Sequence, residues 1–181
     1  MVPLPAVERT SPGHASLSFC RSHGKTVMAS ALAASPLRLL TPRNHGDSAW
    51  VYLSSLGGGL VDGDGIDVRV DVARGASAVL ATQSTTKVYR SPRGCSQRIE
   101  GHIAEDASLA LIPDAVVCFE GAKYAQEIAL DLAPRASVLV LDGYTCGRSA
   151  RGERWTFARY ASRLTIIRGG APIVIEAVRL D

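Results

Sequence analysis

The feature that most constrains the fold is a strand–turn–strand pattern that occurs three times at nearly equal spacing. Each copy begins with alternating apolar and polar residues, passes through a short turn, and ends in a more continuously apolar run, as in IDVRVDV-ARG-ASAVLAT at residues 66–82. The Ala-Ser pairs that open the apolar runs, at residues 76, 107 and 136, are 31 and 29 residues apart. Alternation with a period of two is typical of strands with one buried face.

The pattern predicts an all-β (mainly β) fold with few helices. Because each copy has the signature of a hairpin, we expect either antiparallel hairpins stacked in two layers or a β-helix-like arrangement. Coincidental strand–turn–strand composition is the alternative to a true repeat. One stretch favours a helix instead: VMASALAASP at residues 27–36 is rich in alanine, and Pro36 would end the helix. No linker rich in Pro, Gly or Ser divides the chain, so residues 1–181 are expected to form one domain.

Composition argues against several classes of protein. The net charge of +3 is well below that of a typical nucleic-acid-binding surface, so no nucleic-acid partner is expected. The most apolar window, residues 26–40, is interrupted by Pro36 and Arg38 and is too short to span a bilayer. The first residues lack the pattern of a signal peptide. The four cysteines are far apart and without CxxC spacing, which favours reduced thiols in a cytoplasmic protein with no membrane partner.

The stretch GGGLVDGDG at residues 57–65 could bind phosphate, bind calcium, or turn the chain. A phosphate loop needs Gly-Lys-Ser/Thr and a following helix, and both are missing here. An EF-hand loop that begins at Asp62 would have Asp67 and Ala73 where the glycine and the bidentate glutamate belong. The stretch therefore predicts a tight bend that enters a strand, with Gly63 or a neighbouring glycine at positive φ.

Two further motifs leave a structural and a functional interpretation open. The hydroxyl-rich ATQSTTKVYRSP at residues 81–92 is either a strand with a solvated polar face or the lining of a wet channel. The arginines of CGRSARGERW at residues 146–155 form either a solvated set of ion pairs with Glu153 or a protein contact. Trp155 and Phe157 are expected on one strand face in the core. Cys20 and Cys118 are expected to be inert core residues.

Four blocks of the chain, in matching order and spacing, resemble the UreD (also UreH) family of urease accessory proteins. The main block is residues 54–92, in which the glycine loop is followed by Thr82-Gln83, Thr86-Lys87, Val88-Tyr89 and Ser91. The others are ASLSFCRSHGKTVMASALAASPLRLLTPR, LIPDAVVCFEGAKYAQ and LDGYTCGRSARGERWTFARYASRL. Because members of this family continue well beyond VIEAVRLD, the chain resembles their N-terminal two-thirds, and we expect it to lack their C-terminal part.

The resemblance implies a protein that is not an enzyme. It would bind apo-urease together with the accessory proteins UreF and UreG, the latter a GTPase, and would assist nickel delivery to the urease active site. The alternative is a small cupin-like enzyme or sugar-binding module, for which the sequence offers no His-x-His pair.

Nickel favours imidazole and thiolate ligands, but His14, His23, His45 and His102 are scattered without ligand spacing. We therefore expect no tightly bound cofactor and only transient nickel coordination along a passage. The carboxylates expected there are Asp64, Asp142, Glu153 and Glu176. The residues expected to serve the pathway or an interface are Gly63, Thr86, Lys87, Tyr89, Arg148 and Arg151.

Overall fold

The computed structural model describes residues 12–44 and 46–181. The described residues form fourteen strands and one short 3₁₀ helix, Ser149–Arg151, and they contain no α-helix. The strands are β1 Pro12–Ser22, β2 Lys25–Ala33, β3 Leu37–Leu40, β4 Ala49–Ser55, β5 Gly65–Val72, β6 Ser77–Thr82, β7 Thr86–Val88, β8 Cys95–Ile103, β9 Ser108–Ile112, β10 Val116–Cys118, β11 Lys123–Leu132, β12 Ser137–Val140, β13 Arg159–Arg168 and β14 Ala171–Leu180. The all-β prediction is confirmed.

Two main sheets face each other. The larger sheet has seven strands in the order β14-β13-β11-β8-β5-β1-β2, and the smaller has five in the order β12-β9-β6-β4-β3. The inner strands of both sheets pair in parallel, whereas β2, β3 and β14 pair antiparallel at the edges. Apolar residues from both sheets meet in one core, in which Leu17, Leu80, Ile99 and Leu109 are at most 1% exposed.

The threefold repeat forms the centre of this stack. Each copy leaves the larger sheet, turns, and enters the smaller one, as β5–β6, β8–β9 and β11–β12. Successive copies lie in register, so that Val72 pairs with Ile103 and Ile103 pairs with Leu132. The β-helix-like arrangement in two layers is therefore confirmed, whereas antiparallel hairpin pairing within each copy is wrong. When the two strands of a copy lie in opposite sheets, their apolar faces pack against each other and are buried. In a hairpin the two strands would lie side by side in one sheet, and their apolar faces would not meet.

The alanine-rich stretch at residues 27–36 is not helical. Its first part belongs to β2, which runs antiparallel to β1 with Met28 opposite Phe19 and Ala33 opposite Ala15. The expectation of a helix is wrong because pairing along β1 outweighs the helix propensity of alanine. Within residues 12–44 and 46–181, no helix has the length and hydropathy needed to cross a membrane.

The two ends of the stack carry different connections. At one end, short turns such as residues 73–76 join the sheets. At the other end lie four longer connections, residues 56–64, 83–94, 113–122 and 141–158, which we call the loop end. There β7 and β10 pair in parallel, and the bridges Leu60–Val88 and Val116–Tyr144 link these connections to one another. Three sequence motifs therefore lie at the same end of the molecule. They are residues 57–65, which we call the glycine loop, the hydroxyl-rich segment at residues 81–92, and residues 146–155, which we call the arginine loop.

Candidate functional site

The glycine loop is a turn at the loop end. Three of its glycines have positive φ, namely Gly57 at +92°, Gly58 at +73° and Gly63 at +88°, so the predicted bend with Gly63 or a neighbour in this conformation is confirmed. Asp64 closes the turn, because its Oδ2 accepts a hydrogen bond from the Val61 N–H at 2.8 Å. Its own N–H donates to the Val61 carbonyl at 2.9 Å. The Asp64 carboxylate thus stabilises the loop to which it belongs.

A second aspartate ties this loop to its neighbour. The backbone N–H and the Nε of Arg93 donate to the carboxylate of Asp62 at 2.8 and 2.9 Å. These hydrogen bonds hold the pKa of Asp62 below its ordinary value. Gly59 packs against the next connection, since a Cβ there would lie 2.7 Å from the Lys87 carbonyl oxygen and from the Tyr89 ring. The loop end is therefore held together by direct contacts between its connections.

A cavity of about 290 Å³ with both polar and apolar lining opens at the loop end between the two sheets. Among the described residues that line it, none carries a carboxylate or a basic group. Its polar lining consists of hydroxyls and amides from the ends of β4, β6 and β8 and from the hydroxyl-rich segment: Ser54, Ser55, Thr82, Gln83, Ser84, Thr85, Thr86 and Gln97. The strand of ATQSTTKVYRSP breaks after Thr82, and its polar side chains border the cavity. Because Gln83, Ser84 and Thr85 are also exposed to solvent, the solvated-face and channel interpretations both remain open.

A row of buried polar side chains continues from this cavity across the larger sheet. Gln97, Gln126 and Ser162 are register partners on the adjacent strands β8, β11 and β13, and each is at most 9% exposed. We call these three residues the polar row. Gln126 Nε2 donates to Asp142 Oδ1 at 2.8 Å, and Ser162 Oγ donates to Asp142 Oδ2 at 2.5 Å. Because Asp142 is exposed, the polar row connects the cavity lining with a carboxylate in contact with solvent.

Two tyrosines flank the polar row. Tyr124 Oη donates to Gln126 Oε1 at 3.1 Å. The buried Tyr160 hydroxyl has no hydrogen-bond partner among the described residues. Burial raises the pKa of Tyr160, and the neighbouring negative charge of Asp142 adds to the effect. Burial also raises the pKa of Tyr124, so both phenols remain neutral at physiological pH.

The thiols near this region are poor metal ligands. Cys95 and Cys118 are buried, and burial raises the pKa of both, that of Cys118 to about 12. Since metals bind the thiolate, neither group is poised to coordinate nickel at neutral pH. The expectation of a core position is confirmed for Cys118, whereas Cys20 is only half-buried.

The arginine loop forms an exposed tip at the loop end. The Arg148 guanidinium pairs with the Glu153 carboxylate and lies 3.9 Å from the centre of the Phe119 ring. Hydrogen bonding from Arg148 lowers the pKa of Glu153. Tyr89 packs edge-on against Phe119, with ring centres 5.1 Å apart. Glu153 is thus engaged in an ion pair that shapes the loop.

Trp155 differs from its expected position. Phe157 is buried as predicted, but Trp155 is 59% exposed, and both residues precede β13 instead of sharing a strand face. The turn at Gly152 and the positive φ of Trp155, 58°, change the side-chain alternation that the sequence pattern predicts. The indole therefore points outward. The expectation of a core tryptophan is therefore wrong.

The four carboxylates predicted for a nickel passage differ in their surroundings. Asp64 accepts a hydrogen bond within its own loop, and Glu153 accepts from Arg148 in its loop and from the Glu120 N–H of the neighbouring connection. Asp142 is bonded to the polar row, and Glu176 lies exposed on β14. Among the described residues, no three His, Cys, Asp or Glu side chains are grouped so that they could hold a metal ion.

Three of the other residues predicted to serve the nickel pathway or an interface, and two of the histidines, differ in their surroundings. Thr86 lines the cavity, while Lys87 and Arg151 are exposed to solvent. His102 is exposed, and its register partners on the neighbouring strands are Asp71 and Asp131 and not a second histidine. His45 lies outside the described residues.

Sequence reasoning missed the polar row, although the sequence contains a signal for it. In CSQRIEGHI and KYAQEIALDL, the glutamines occupy positions at which the alternation assigns a buried side chain. A polar residue at an apolar position of an alternating strand indicates a buried hydrogen-bonded group.

Comparison with known proteins agrees with the fold and the motifs. The family model described as UreD urease accessory protein matches residues 11–181. The urease accessory protein UreD of Sorangium cellulosum is 52% identical over 169 residues, which cover 93% of this chain and 54% of the relative. The urease accessory protein UreD of Anaeromyxobacter sp. is 40% identical over 186 residues, which cover 98% of this chain and 62% of the relative. The urease accessory protein D of Oryza sativa subsp. indica is 37% identical over 164 residues, which cover 87% of this chain and 54% of the relative.

The chain therefore spans a little over half the length of these relatives. Its match to the family model, in contrast, extends over nearly all of its own residues. The chain belongs to the UreD family of urease accessory proteins.

Proposed function

We propose that the chain acts in the cytoplasm as a non-catalytic scaffold in urease maturation, binding apo-urease together with UreF and UreG and assisting nickel delivery. The observation that carries this proposal is the family match over residues 11–181.

Within this proposal, nickel crosses the molecule through the cavity and along the polar row. Hydroxyl and amide oxygens are neutral ligands that replace water only weakly, so they favour passage over retention. Asp142 is the carboxylate best placed to contact the ion, since it is exposed and bonded to the polar row. Asp64, Glu153 and Glu176 would take part only outside this route, the first two after breaking their loop contacts.

The scaffold proposal is tested by co-purification. The affinity-tagged chain, produced together with apo-urease subunits and UreF, is expected to retain both in a complex that survives size-exclusion chromatography. The control is the same urease and UreF passed over resin without the tagged chain. Recovery of the tagged chain alone, whichever of these partners is supplied, would contradict the proposal.

For nickel itself, we expect the isolated chain to bind the ion more weakly than micromolar and without a defined stoichiometry. The physical reason is that the buried thiols are held protonated and that no three ligands converge among the described residues. Isothermal titration calorimetry with Ni²⁺ measures this, and the Cys118→Ser variant is expected to behave like the parent. Sub-micromolar, one-to-one binding that is lost on changing a histidine or cysteine would refute the expectation.

A further inference from the structure

Tyr160 has a buried phenolic hydroxyl that is not hydrogen-bonded to any group of the described residues. The residue is 1% exposed and lies on the core-facing side of β13, two positions before Ser162 of the polar row. An unpaired buried hydroxyl reduces stability, whereas a phenylalanine would keep the same ring and avoid this penalty. The hydroxyl therefore indicates a ligand that is not a side chain of the described protein.

The neighbouring strand shows how such a hydroxyl is paired inside this protein. Tyr124 and Tyr160 are register partners on β11 and β13, and so are Gln126 and Ser162. Tyr124 Oη donates to Gln126 Oε1 at 3.1 Å, two positions further along its own strand. Ser162 holds the equivalent position for Tyr160, but a serine side chain is much shorter than a glutamine side chain. Tyr160 therefore repeats the position of Tyr124 without a side chain long enough to pair with it.

A carboxylate lies near this hydroxyl. Burial raises the pKa of Tyr160, and the negative charge of Asp142 raises it further, which requires the two groups to be close. Each Asp142 oxygen accepts one hydrogen bond, Oδ1 from Gln126 and Oδ2 from Ser162. Each oxygen has a second lone pair, and Asp142 is exposed to solvent. A ligand from solvent can therefore bind between the carboxylate and the Tyr160 hydroxyl.

The groups that such a ligand meets favour a hydrated ion over a bare one. The raised pKa keeps Tyr160 a neutral phenol, which can donate and accept hydrogen bonds. Among the described residues, no three His, Cys, Asp or Glu side chains converge to replace the water ligands of a metal ion. A cation at Asp142 would therefore keep most of its water ligands, and water polarised by a cation is a strong hydrogen-bond donor.

We propose that Asp142, Ser162 and Tyr160 form a site for a hydrated divalent cation. The ion lies on the solvent side of Asp142, Ser162 holds the carboxylate in place, and one water ligand of the ion donates a hydrogen bond to Tyr160 Oη. The inference rests on the proposed function in one respect, because that function makes Ni²⁺ the ion. It adds that the protein recognises the ion through its water ligands and does not remove them.

An exchange-inert ion tests this site in the isolated chain. Hexaamminecobalt(III) resembles a hydrated metal ion in size, but its ammonia ligands do not exchange, so it binds only through hydrogen bonds and charge. The side-chain amide of Gln126, which donates to Asp142, reports binding in nuclear magnetic resonance spectra of the ¹⁵N-labelled chain. Ni²⁺ and hexaamminecobalt(III) are both expected to perturb this signal, and each is expected to displace the other.

Matched variants assign the contact to the phenol and the carboxylate. Tyr160→Phe is expected to weaken the binding of both ions about fivefold, the effect of one hydrogen bond, without lowering the melting temperature. Tyr124→Phe removes a hydroxyl that has a protein partner and is expected to lower the melting temperature. Asp142→Asn is expected to abolish the response at Gln126. Asp131→Asn removes the same charge from an exposed position on β11 and should leave that response unchanged.

Three results would overturn the site. Parent-like affinity of Tyr160→Phe for both ions would show that the phenol does not contact the water ligands. A response at Gln126 to Ni²⁺ but not to hexaamminecobalt(III) would show direct coordination of an ion that has lost its water. No response to either ion would show that no cation binds here. The scaffold proposal is tested separately by co-purification, so failure of the site leaves it standing, and loss of the complex with apo-urease and UreF leaves a Tyr160-dependent site standing.

Discussion

Replacing Gly147 by alanine is expected to lower the free energy of unfolding by about 2–4 kcal/mol. Gly147 has φ of +106°, which is unfavourable for any residue with a Cβ. An added Cβ would also lie 3.0 Å from the Glu153 carbonyl oxygen and 3.1 Å from that of Cys118. Both neighbours are backbone atoms, so neither can move aside by a change of rotamer. The backbone strain of a positive φ and the steric crowding of the added Cβ therefore both reduce the stability of the Gly147→Ala variant.

Gly152, in the same loop, provides the matched control. Its φ of +78° is also positive, but apart from its two chain neighbours no described residue has an atom within 4 Å of the point that an added Cβ would occupy. Gly152→Ala is therefore expected to lose only about 1 kcal/mol, from the backbone conformation alone. Urea denaturation of the parent and both variants measures the difference, which isolates the crowding at Gly147. An equal decrease in the free energy of unfolding in the two variants would show that the carbonyls of Glu153 and Cys118 can move away from the added Cβ at no energetic cost.

Much of the fold follows from local pattern. The Ala-Ser pairs 31 and 29 residues apart predict stacked copies, and the alternation in residues 66–72 assigns Val68 and Val70 to the core, where both are 1% exposed. Local pattern does not decide whether a short turn closes a hairpin or joins two layers. That choice depends on pairing between residues some 30 positions apart, such as Val72 with Ile103. The same non-local pairing explains why the alanine-rich segment is a strand.

The candidate site is less predictable than the fold, for physical reasons that differ between residues. Clustered glycines require unusual backbone angles, and so the bend at Gly63 can be predicted from the sequence. The function of a polar residue in a strand depends on what it faces, which for Gln97 is a cavity formed by four separate segments. The position of Trp155 depends on positive φ at Gly152 and at Trp155 itself, and no periodicity in the sequence predicts these backbone angles.

The polar row offers the sharpest test of the proposed nickel route. Gln97→Leu is expected to reduce nickel-dependent activation of urease about tenfold while the free energy of unfolding changes by less than about 1 kcal/mol. The Gln97 side chain forms no hydrogen bond with the described residues and faces the cavity, so truncating the amide leaves no protein group unpaired. A leucine there keeps a similar volume but removes the amide, and apolar constrictions in a narrow passage exclude water and ions.

Gln126→Leu is the matched comparison, because it alters the next residue of the polar row but has a different expected consequence. Gln126 is 4% exposed, accepts from Tyr124 Oη, and donates to Asp142 and Ser162. Its replacement leaves the buried Tyr124 hydroxyl without an acceptor and is expected to cost about 2 kcal/mol of stability. Urease activation by each variant, measured at equal amounts of folded protein, separates the two effects. If nickel follows the polar row, both variants are defective per folded molecule, and only Gln126→Leu is also less stable. Full activation by folded Gln97→Leu would show that the ion does not pass this point, whatever the stability of Gln126→Leu.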